Sequence, residues 1–168
     1  MDLIGILTEL ATNPIAYSIV FLIYSILAAV ILPIPVEIGL FNYHIHPAIL
    51  ISILAIGKGI GAFIVFEIST KARKEMKKYT STENKFIKKL IDYSEWFVQK
   101  YGYYGLLLVL STPLMIDSVS LYLFSLLNPE ESGEGMNREW FTITNVIAGA
   151  IRGIITLAVF YWVGLKLV

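Results

Sequence analysis

The 168-residue chain contains no cysteine, and only 15% of its residues are charged, against about 25% in an average soluble domain. Without cysteine, disulfides, thiolate metal sites and a cysteine nucleophile are excluded. Charge is scarce, 57% of residues are hydrophobic and the mean hydropathy is +0.72, which together indicate an integral membrane protein. A formal net charge of zero disfavours a nucleic-acid-binding domain, which would be basic. The length predicts one membrane domain, 1–168.

The first apolar stretch runs from Ile15 to Leu32 and carries no charge. It follows Asn13-Pro14, a cap residue and a proline at the first helical position. Pro33 and Pro35 then break it, because each ring removes a backbone donor and disfavours helix at the preceding residue. A short amphipathic helix is expected over Leu3–Leu10.

Three further stretches follow. Ala48–Ser69 is long enough to span a membrane, Leu106–Leu127 is interrupted by Pro113, and Trp140–Val168 can span again. The short run Val36–Tyr43 cannot span. Glycines at close spacing in the two uninterrupted stretches let helices approach in lipid. These glycines are Gly57, Gly59, Gly61, Gly149 and Gly153.

Between the second and third stretches lies a basic segment, 71–101. Residues 71–100 hold nine lysines and arginines against four acids, with apolar residues at helical spacing. This pattern predicts an amphipathic helix on the cytoplasmic membrane surface, since basic loops stay on that side.

Four ionisable residues lie inside the apolar stretches: Glu37, Lys58, Asp117 and Arg152. A charge at bilayer depth costs from roughly 3 to more than 10 kcal/mol. Each acid follows a proline break, and each base lies near the centre of the next apolar stretch. Because the four charges sum to zero, they predict a buried polar centre.

The order of break, acid and base-bearing span occurs twice. Gly57-Lys58-Gly59-Ile60 aligns with Ile151-Arg152-Gly153-Ile154. The predicted units are 12–70 and 102–168, joined by 71–101. Paired broken segments in two halves point to a transporter site. If both broken segments are re-entrant hairpins, they enter from opposite sides as an inverted repeat with both termini outside. The competing interpretation treats both as full spans, giving four crossings.

The chain resembles the DedA / VTT superfamily, also called SNARE-associated Golgi proteins, over roughly residues 12–165. Four motifs in order carry the resemblance. They are Pro33-Ile34-Pro35-Val36-Glu37, Gly57-Lys58-Gly59-Ile60-Gly61, Lys100-Tyr101-Gly102-Tyr103-Tyr104-Gly105, and Trp140-Phe141 with Asn145, Gly149 and Arg152. Many members carry arginines around the second proline. This chain has none there and is similar to a shorter subgroup with acidic residues instead.

The resemblance implies movement of phospholipid or polyprenyl-phosphate lipid between leaflets, with proton coupling. Glu37 and Asp117 are then candidates for a proton relay, and Lys58 and Arg152 for headgroup binding. The alternative is that the four form only structural ion pairs. A homodimer is plausible on this interpretation, because re-entrant elements need shielding from lipid.

Other residues give weaker signals. Glu67 is expected to reach the interface, and His44 and His46 supply too few ligands for a metal site. Hydroxyls near Pro113 are expected to satisfy broken-helix backbone. No cofactor motif or nucleophile–base set is present, so we expect no enzyme and no cofactor.

Three functions stay open. A lipid transporter predicts a groove that opens laterally to the membrane, with the charged centre accessible. An ion- or proton-coupled solute transporter predicts a closed aqueous cavity. A structural or assembly protein predicts a sealed core in which every charge is paired.

Overall fold

The computed structural model describes residues 3–31, 35–79, 96, 100–113, 116–126, 128 and 135–163. Within these ranges the chain is helical and contains no strand, which confirms the predicted all-α class. The elements are α1 (Leu3–Glu9), α2 (Pro14–Val30), a 3₁₀ helix (Val36–Leu40), α3 (Pro47–Tyr79), α4 (100–111 in its described part), α5 (Asp117–Leu126) and α6 (Arg138–Trp162).

Two of these helices are long and apolar enough to cross a membrane: Pro47–Arg73 within α3, and α6. They coincide with the two uninterrupted apolar stretches that the sequence predicts to be long enough to span, and the criterion they meet is one of length and composition. Helix α2, with 17 residues, is apolar but shorter.

Helix α2 begins where the sequence predicts, because the Asn13 side chain accepts a hydrogen bond from the Ala16 amide. After α2 the chain folds back along it. The Tyr24 hydroxyl donates to the Pro35 carbonyl and the Tyr17 hydroxyl donates to the Gly39 carbonyl, both at 3.1 Å. The Asn42 amide then donates to the Ala11 carbonyl at 3.0 Å. The segment 11–42 therefore ends beside its own beginning.

Helix α3 runs parallel to α2 at very short range. A Cβ atom added to Gly57 would lie 2.5 Å from the Ser25 Cβ, and one added to Gly61 would lie 2.4 Å from the Ala29 Cβ. The same order of contacts along both helices fixes the direction. Small residues at this interface bring the tip of α2 to the middle of the α3 span.

Helices α4 and α5 form a second fold-back. Gly105 of α4 lies against Phe124 of α5, while Lys58 contacts both the Leu110 carbonyl and Asp117, so the two helices are antiparallel. At the far end, the Ser125 hydroxyl donates to the Ser69 hydroxyl at 2.7 Å. Since Asp117 lies level with Lys58 and Ser125 level with Ser69, α5 runs parallel to α3.

Helix α6 is antiparallel to α3 and makes the most extensive helix–helix contact. The rings of Phe66 and Phe141 are 5.1 Å apart at one end, and Gly153 lies against Ile51 towards the other. Between them, a Cβ added to Gly59 would lie only 2.4 Å from the Val146 Cγ2.

Helix α3 does not end near Ser69, where the basic segment was predicted to begin a separate helix. It continues to Tyr79 without interruption. Residues 62–79 contain no glycine or proline, and lysine, alanine and glutamate favour helix, so nothing stops the helix at the change in charge. Apart from residues 96 and 100, the remainder of the predicted surface helix lies outside the described residues.

Helix α6 carries exposed aromatic residues at both ends. Trp140 is 60% exposed and Trp162 is 90% exposed. Their separation along the helix is roughly 33 Å at 1.5 Å per residue, close to a hydrocarbon thickness of about 30 Å. Tryptophan favours the membrane–water interface, so this spacing is the one expected of a helix that crosses a membrane. Isoleucines 143, 147, 154 and 155 are exposed between them, as expected of a lipid-facing surface.

The Gly59 contact can be tested with Gly59→Ala. The added methyl group would overlap Val146, and such overpacking costs typically about 1–3 kcal/mol. We expect a lower thermal unfolding midpoint in detergent, partly restored when Val146→Ala is added. Val146→Ala alone is the control. Strictly additive losses would contradict the close α3–α6 packing.

Candidate functional site

The four predicted charged residues meet at one place, delivered by four different elements. Glu37 lies in the 3₁₀ helix, Lys58 in α3, Asp117 at the start of α5 and Arg152 in α6. All are buried, with exposures of 4%, 0%, 6% and 1% in that order. Each fold-back therefore brings one acid to the middle of the antiparallel α3–α6 pair.

Arg152 joins the two acids. Its Nε donates to Glu37 Oε1 and its Nη1 donates to Asp117 Oδ1, both at 2.7 Å. Its Nη2 also forms an ion pair with Glu37 Oε1. Lys58 Nζ donates to the same Asp117 oxygen at 3.0 Å. Asp117 thus receives two cations, and Arg152 contacts an acid from each predicted unit.

The interruption between α4 and α5 also contributes to the site. Lys58 Nζ donates at 3.2 Å to the carbonyl of Leu110, in the last turn of α4, where carbonyls lack helical partners. Asp117 lies in the first turn of α5. A cation at a helix C-terminus and an anion at an N-terminus are both favoured by the helix dipole. Pro113, between the two helices, explains why these backbone ends occur at this depth.

The centre is formally neutral, with two acids and two bases. Neutrality matters because several kcal/mol are needed to bring each ion out of water, and close, hydrogen-bonded pairing offsets that cost. Removing one partner would leave an uncompensated buried charge. The four residues therefore act as one unit.

The centre is also closed. None of its four residues is more than 6% exposed. Lipid movement predicts a groove through which the charges are accessible, and the charges are not accessible in this conformation. Full pairing in a sealed core corresponds instead to the expectation for a structural role, or to an occluded transporter.

The predicted glycines lie at helix contacts. Gly57 and Gly61 face α2, whereas Gly59 faces α6. A Cβ atom added to Gly149 would lie 3.0 Å from the Ala55 Cα and 3.1 Å from the Lys58 side chain. Gly149 therefore leaves room for Lys58, and Gly153 packs against Ile51 one turn further on.

The predicted breaks are only partly described. Pro33 lies outside the described residues. Pro35 immediately precedes the 3₁₀ helix, and its carbonyl accepts from Tyr24. The hydroxyl of Thr112 donates to the Leu108 carbonyl, and that of Ser120 donates to the Ile116 carbonyl, as predicted for hydroxyls near Pro113. The buried Ser111 hydroxyl, by contrast, has no hydrogen-bond partner among the described residues.

The weaker candidates lie away from the centre. Glu67 forms an exposed ion pair with Arg138 at 2.7 Å. The His46 ring accepts a hydrogen bond from the Ala48 amide at the start of α3, and the His44 ring lies 3.9 Å from that of Tyr43. Within the described part of the chain, no three histidine, cysteine or acidic residues cluster as metal ligands.

Sequence reasoning missed Arg73. Its guanidinium donates to the Ser125 carbonyl at 2.7 Å and to the Asn128 carbonyl, at the C-terminal end of α5. Arg73 thereby ties α3 to the second fold-back. A single arginine among the lysines just beyond an apolar stretch is the only signal that could have indicated it.

The pairing can be tested by thermal unfolding in detergent. Lys58→Met should destabilise the protein by about 3–5 kcal/mol, because it leaves three charges with a net negative charge. Adding Asp117→Asn restores neutrality and leaves the Glu37–Arg152 pair, so the double variant should be more stable than Lys58→Met.

The matched control is Glu67→Gln, which breaks an exposed ion pair. We expect it to change stability by no more than about 1 kcal/mol. If the Lys58→Met, Asp117→Asn double variant loses as much stability as the two single variants lose together, Lys58 and Asp117 do not interact.

Comparisons with protein-family models, with curated proteins and with solved structures find no match for this chain. Membership of the DedA / VTT superfamily is therefore a proposal.

Proposed function

We propose that this protein is a multi-pass membrane protein of the DedA / VTT type that moves a phosphate-bearing lipid between leaflets. The observation that carries the proposal is the meeting of two fold-backs, from opposite ends of the α3–α6 pair, at a buried neutral cluster of four charges. In this proposal the sealed conformation is the occluded state of the transporter.

The direction of each fold-back supports re-entrant hairpins. Ala11 and Asn42 are hydrogen-bonded to each other and lie at the N-terminal end of α3. The Tyr103 hydroxyl accepts from the Asn137 amide, so the two ends of the second segment lie together near the α6 N-terminus. A segment whose ends lie at the same end of the span enters and leaves on one side. The four-crossing alternative would require the two ends of each segment to lie on opposite sides of the membrane.

The same directions support an inverted repeat. Helix α2 is parallel to α3, and the return segment at 35–42 is antiparallel to α3. Helix α4 is likewise parallel to α6, because α5 is antiparallel to both. Since α3 and α6 are themselves antiparallel, these directions are the ones expected of two units related by inversion. Each unit thus places its acid at the start of a return and its base in the following span.

The charged centre offers a route to proton coupling. While Glu37 and Asp117 are both ionised, the cluster has no net charge with which to attract an anion. A proton on either acid leaves Lys58 and Arg152 with an excess positive charge. Arginine can then bind a phosphate through two parallel hydrogen bonds, with lysine as a point charge. Hairpin movement would have to open the centre to the headgroup.

Orientation follows from the basic segment. Residues 71–101 lie in the cytoplasm, and both termini lie on the other side. Irregular backbone at membrane depth must be buried in protein or line a cavity, and each fold-back meets this requirement by packing against other helices of the chain. A homodimer would cover the hairpins further.

A second candidate is a structural or assembly membrane protein. The observation that favours it is the burial of the four charges, each paired with an opposite charge. Buried ion pairs are nevertheless weak evidence for stability, because well-packed apolar residues of similar volume often serve as well. That consideration favours transport. An ion- or proton-coupled solute transporter would use the same centre with a water-soluble substrate.

The transport proposal can be tested with the full chain in liposomes. Purified protein should speed the flip of labelled phosphate-bearing lipids above empty liposomes. Arg152→Gln should slow that flip by about tenfold or more, the value of a lost charge-assisted hydrogen bond. Acidifying the bath should change the rate, because a carboxylate must take up a proton.

The control is Glu9→Gln, an exposed acid on α1 far from the centre, which should keep wild-type flip. Wild-type protein no faster than empty liposomes, for several lipid classes, would favour the structural role. Flip that Arg152→Gln leaves unchanged in folded protein would discard the charged centre as the mechanism.

The hairpins can be tested by labelling single cysteines introduced into this cysteine-free chain. We expect cysteines at Thr12 and Tyr43 to react with a membrane-impermeant reagent outside intact cells. Cysteines at Lys100 and Glu139 should react only after the cells are opened. Thr12 and Tyr43 on opposite sides, or Lys100 and Glu139 on opposite sides, would contradict the corresponding hairpin.

A further inference from the structure

A polar cavity of about 490 Å³ lies where α3 leaves its membrane-spanning part and α6 begins. Glu67 and Thr70 line it on the α3 side, and residues 135–139 line it on the α6 side. Its volume is within the range of small-molecule sites. Glu67 is roughly 14 Å along the helix from Lys58, so the cavity is separate from the charged centre.

The charged side chains around the cavity are partly exposed. Arg138 and Glu67 are joined at 2.7 Å, but their side chains remain 46% and 41% exposed. Glu139 adds a second carboxylate to the lining. The cavity therefore combines one guanidinium and two carboxylates.

The cavity lies at the depth of lipid headgroups in the proposed orientation. Trp140, one residue after Glu139, is exposed and marks the interface. Lys71, one residue after Thr70, is also exposed and begins the basic segment. A group entering this cavity from the membrane would be a headgroup rather than an acyl chain.

We propose that the cavity binds the headgroup of a zwitterionic phospholipid with a primary ammonium group, such as phosphatidylethanolamine. Arg138 binds the phosphate, helped by the positive end of the α6 dipole. Glu67 and Glu139 accept hydrogen bonds from the ammonium. This inference depends on the membrane placement of the proposed function and does not require transport.

The same chemistry disfavours the other common headgroups. An anionic headgroup without an ammonium would meet two carboxylates and only one cation. A choline headgroup has no N–H to donate, and quaternary ammonium ions are recognised by aromatic cages. Phe66 is the only aromatic side chain among the described residues that line the cavity.

The test uses full-length protein whose only tryptophan is Trp140, made with Trp96→Phe and Trp162→Phe. It is placed in phosphatidylcholine vesicles with equal small fractions of bromine-labelled phosphatidylethanolamine, phosphatidylglycerol or phosphatidylcholine. Bromine quenches nearby tryptophan fluorescence. We expect labelled phosphatidylethanolamine to be preferred over both other lipids by roughly two- to five-fold, the range that exposed charge pairs provide.

Glu67→Gln with Glu139→Gln should abolish this preference, whereas Glu9→Gln should keep it. A protein whose only tryptophan is Trp162, at the opposite interface, should show no preference. Equal quenching by all three lipids, or strongest quenching by phosphatidylglycerol, overturns the inference but leaves the proposed function standing. No quenching by any lipid would contradict the membrane placement and therefore both.

Discussion

Charge neutrality in a buried centre is the constraint on which the rest of this structure depends. Lys58 and Arg152 lie on the two helices apolar enough to cross a membrane, and each is almost wholly buried. Two cations at such depth require two anions within hydrogen-bond distance. The fold-backs supply these anions. Each fold-back turns halfway along the α3–α6 pair, and the turn places Glu37 or Asp117 beside the cations, which a continuous helix would not do. The proline breaks, the acids and the bases thus contribute together to one buried, neutral centre.

Small residues let the helices approach closely enough to form this centre. Gly57 and Gly61 let α2 lie directly on α3, and Gly59 does the same for α6. Gly149 leaves space for the Lys58 side chain, which must cross the interface to reach Asp117. Larger side chains would separate the helices and lengthen the ion pairs. The glycines therefore contribute to the electrostatics of the centre as well as to its packing.

Much of this arrangement could be predicted from local sequence. The Asn13 cap, the break between α4 and α5 and the two long apolar helices depend on neighbouring residues, and each lies where the pattern indicates. Which acid pairs with which base could not be predicted, since Glu37 and Arg152 are 115 positions apart and Lys58 and Asp117 are 59 apart. The sealed state of the centre follows from tertiary packing, which no local pattern encodes. The change in charge near Ser69 predicts too early an end for α3, because no glycine or proline follows to stop the helix before Tyr79.

The most direct test of the account is whether Arg152 contacts both acids in a lipid bilayer. Solid-state NMR on protein in liposomes, with ¹⁵N in arginine and ¹³C in glutamate and aspartate side chains, can measure it through nitrogen–carbon dipolar coupling. Assignment uses Arg152→Gln, Glu37→Gln and Asp117→Asn. The account predicts coupling from the Arg152 guanidinium to the carboxyl carbons of both Glu37 and Asp117, at ion-pair distance. Coupling to only one acid, or to neither, would contradict the joining of the two fold-backs at this centre.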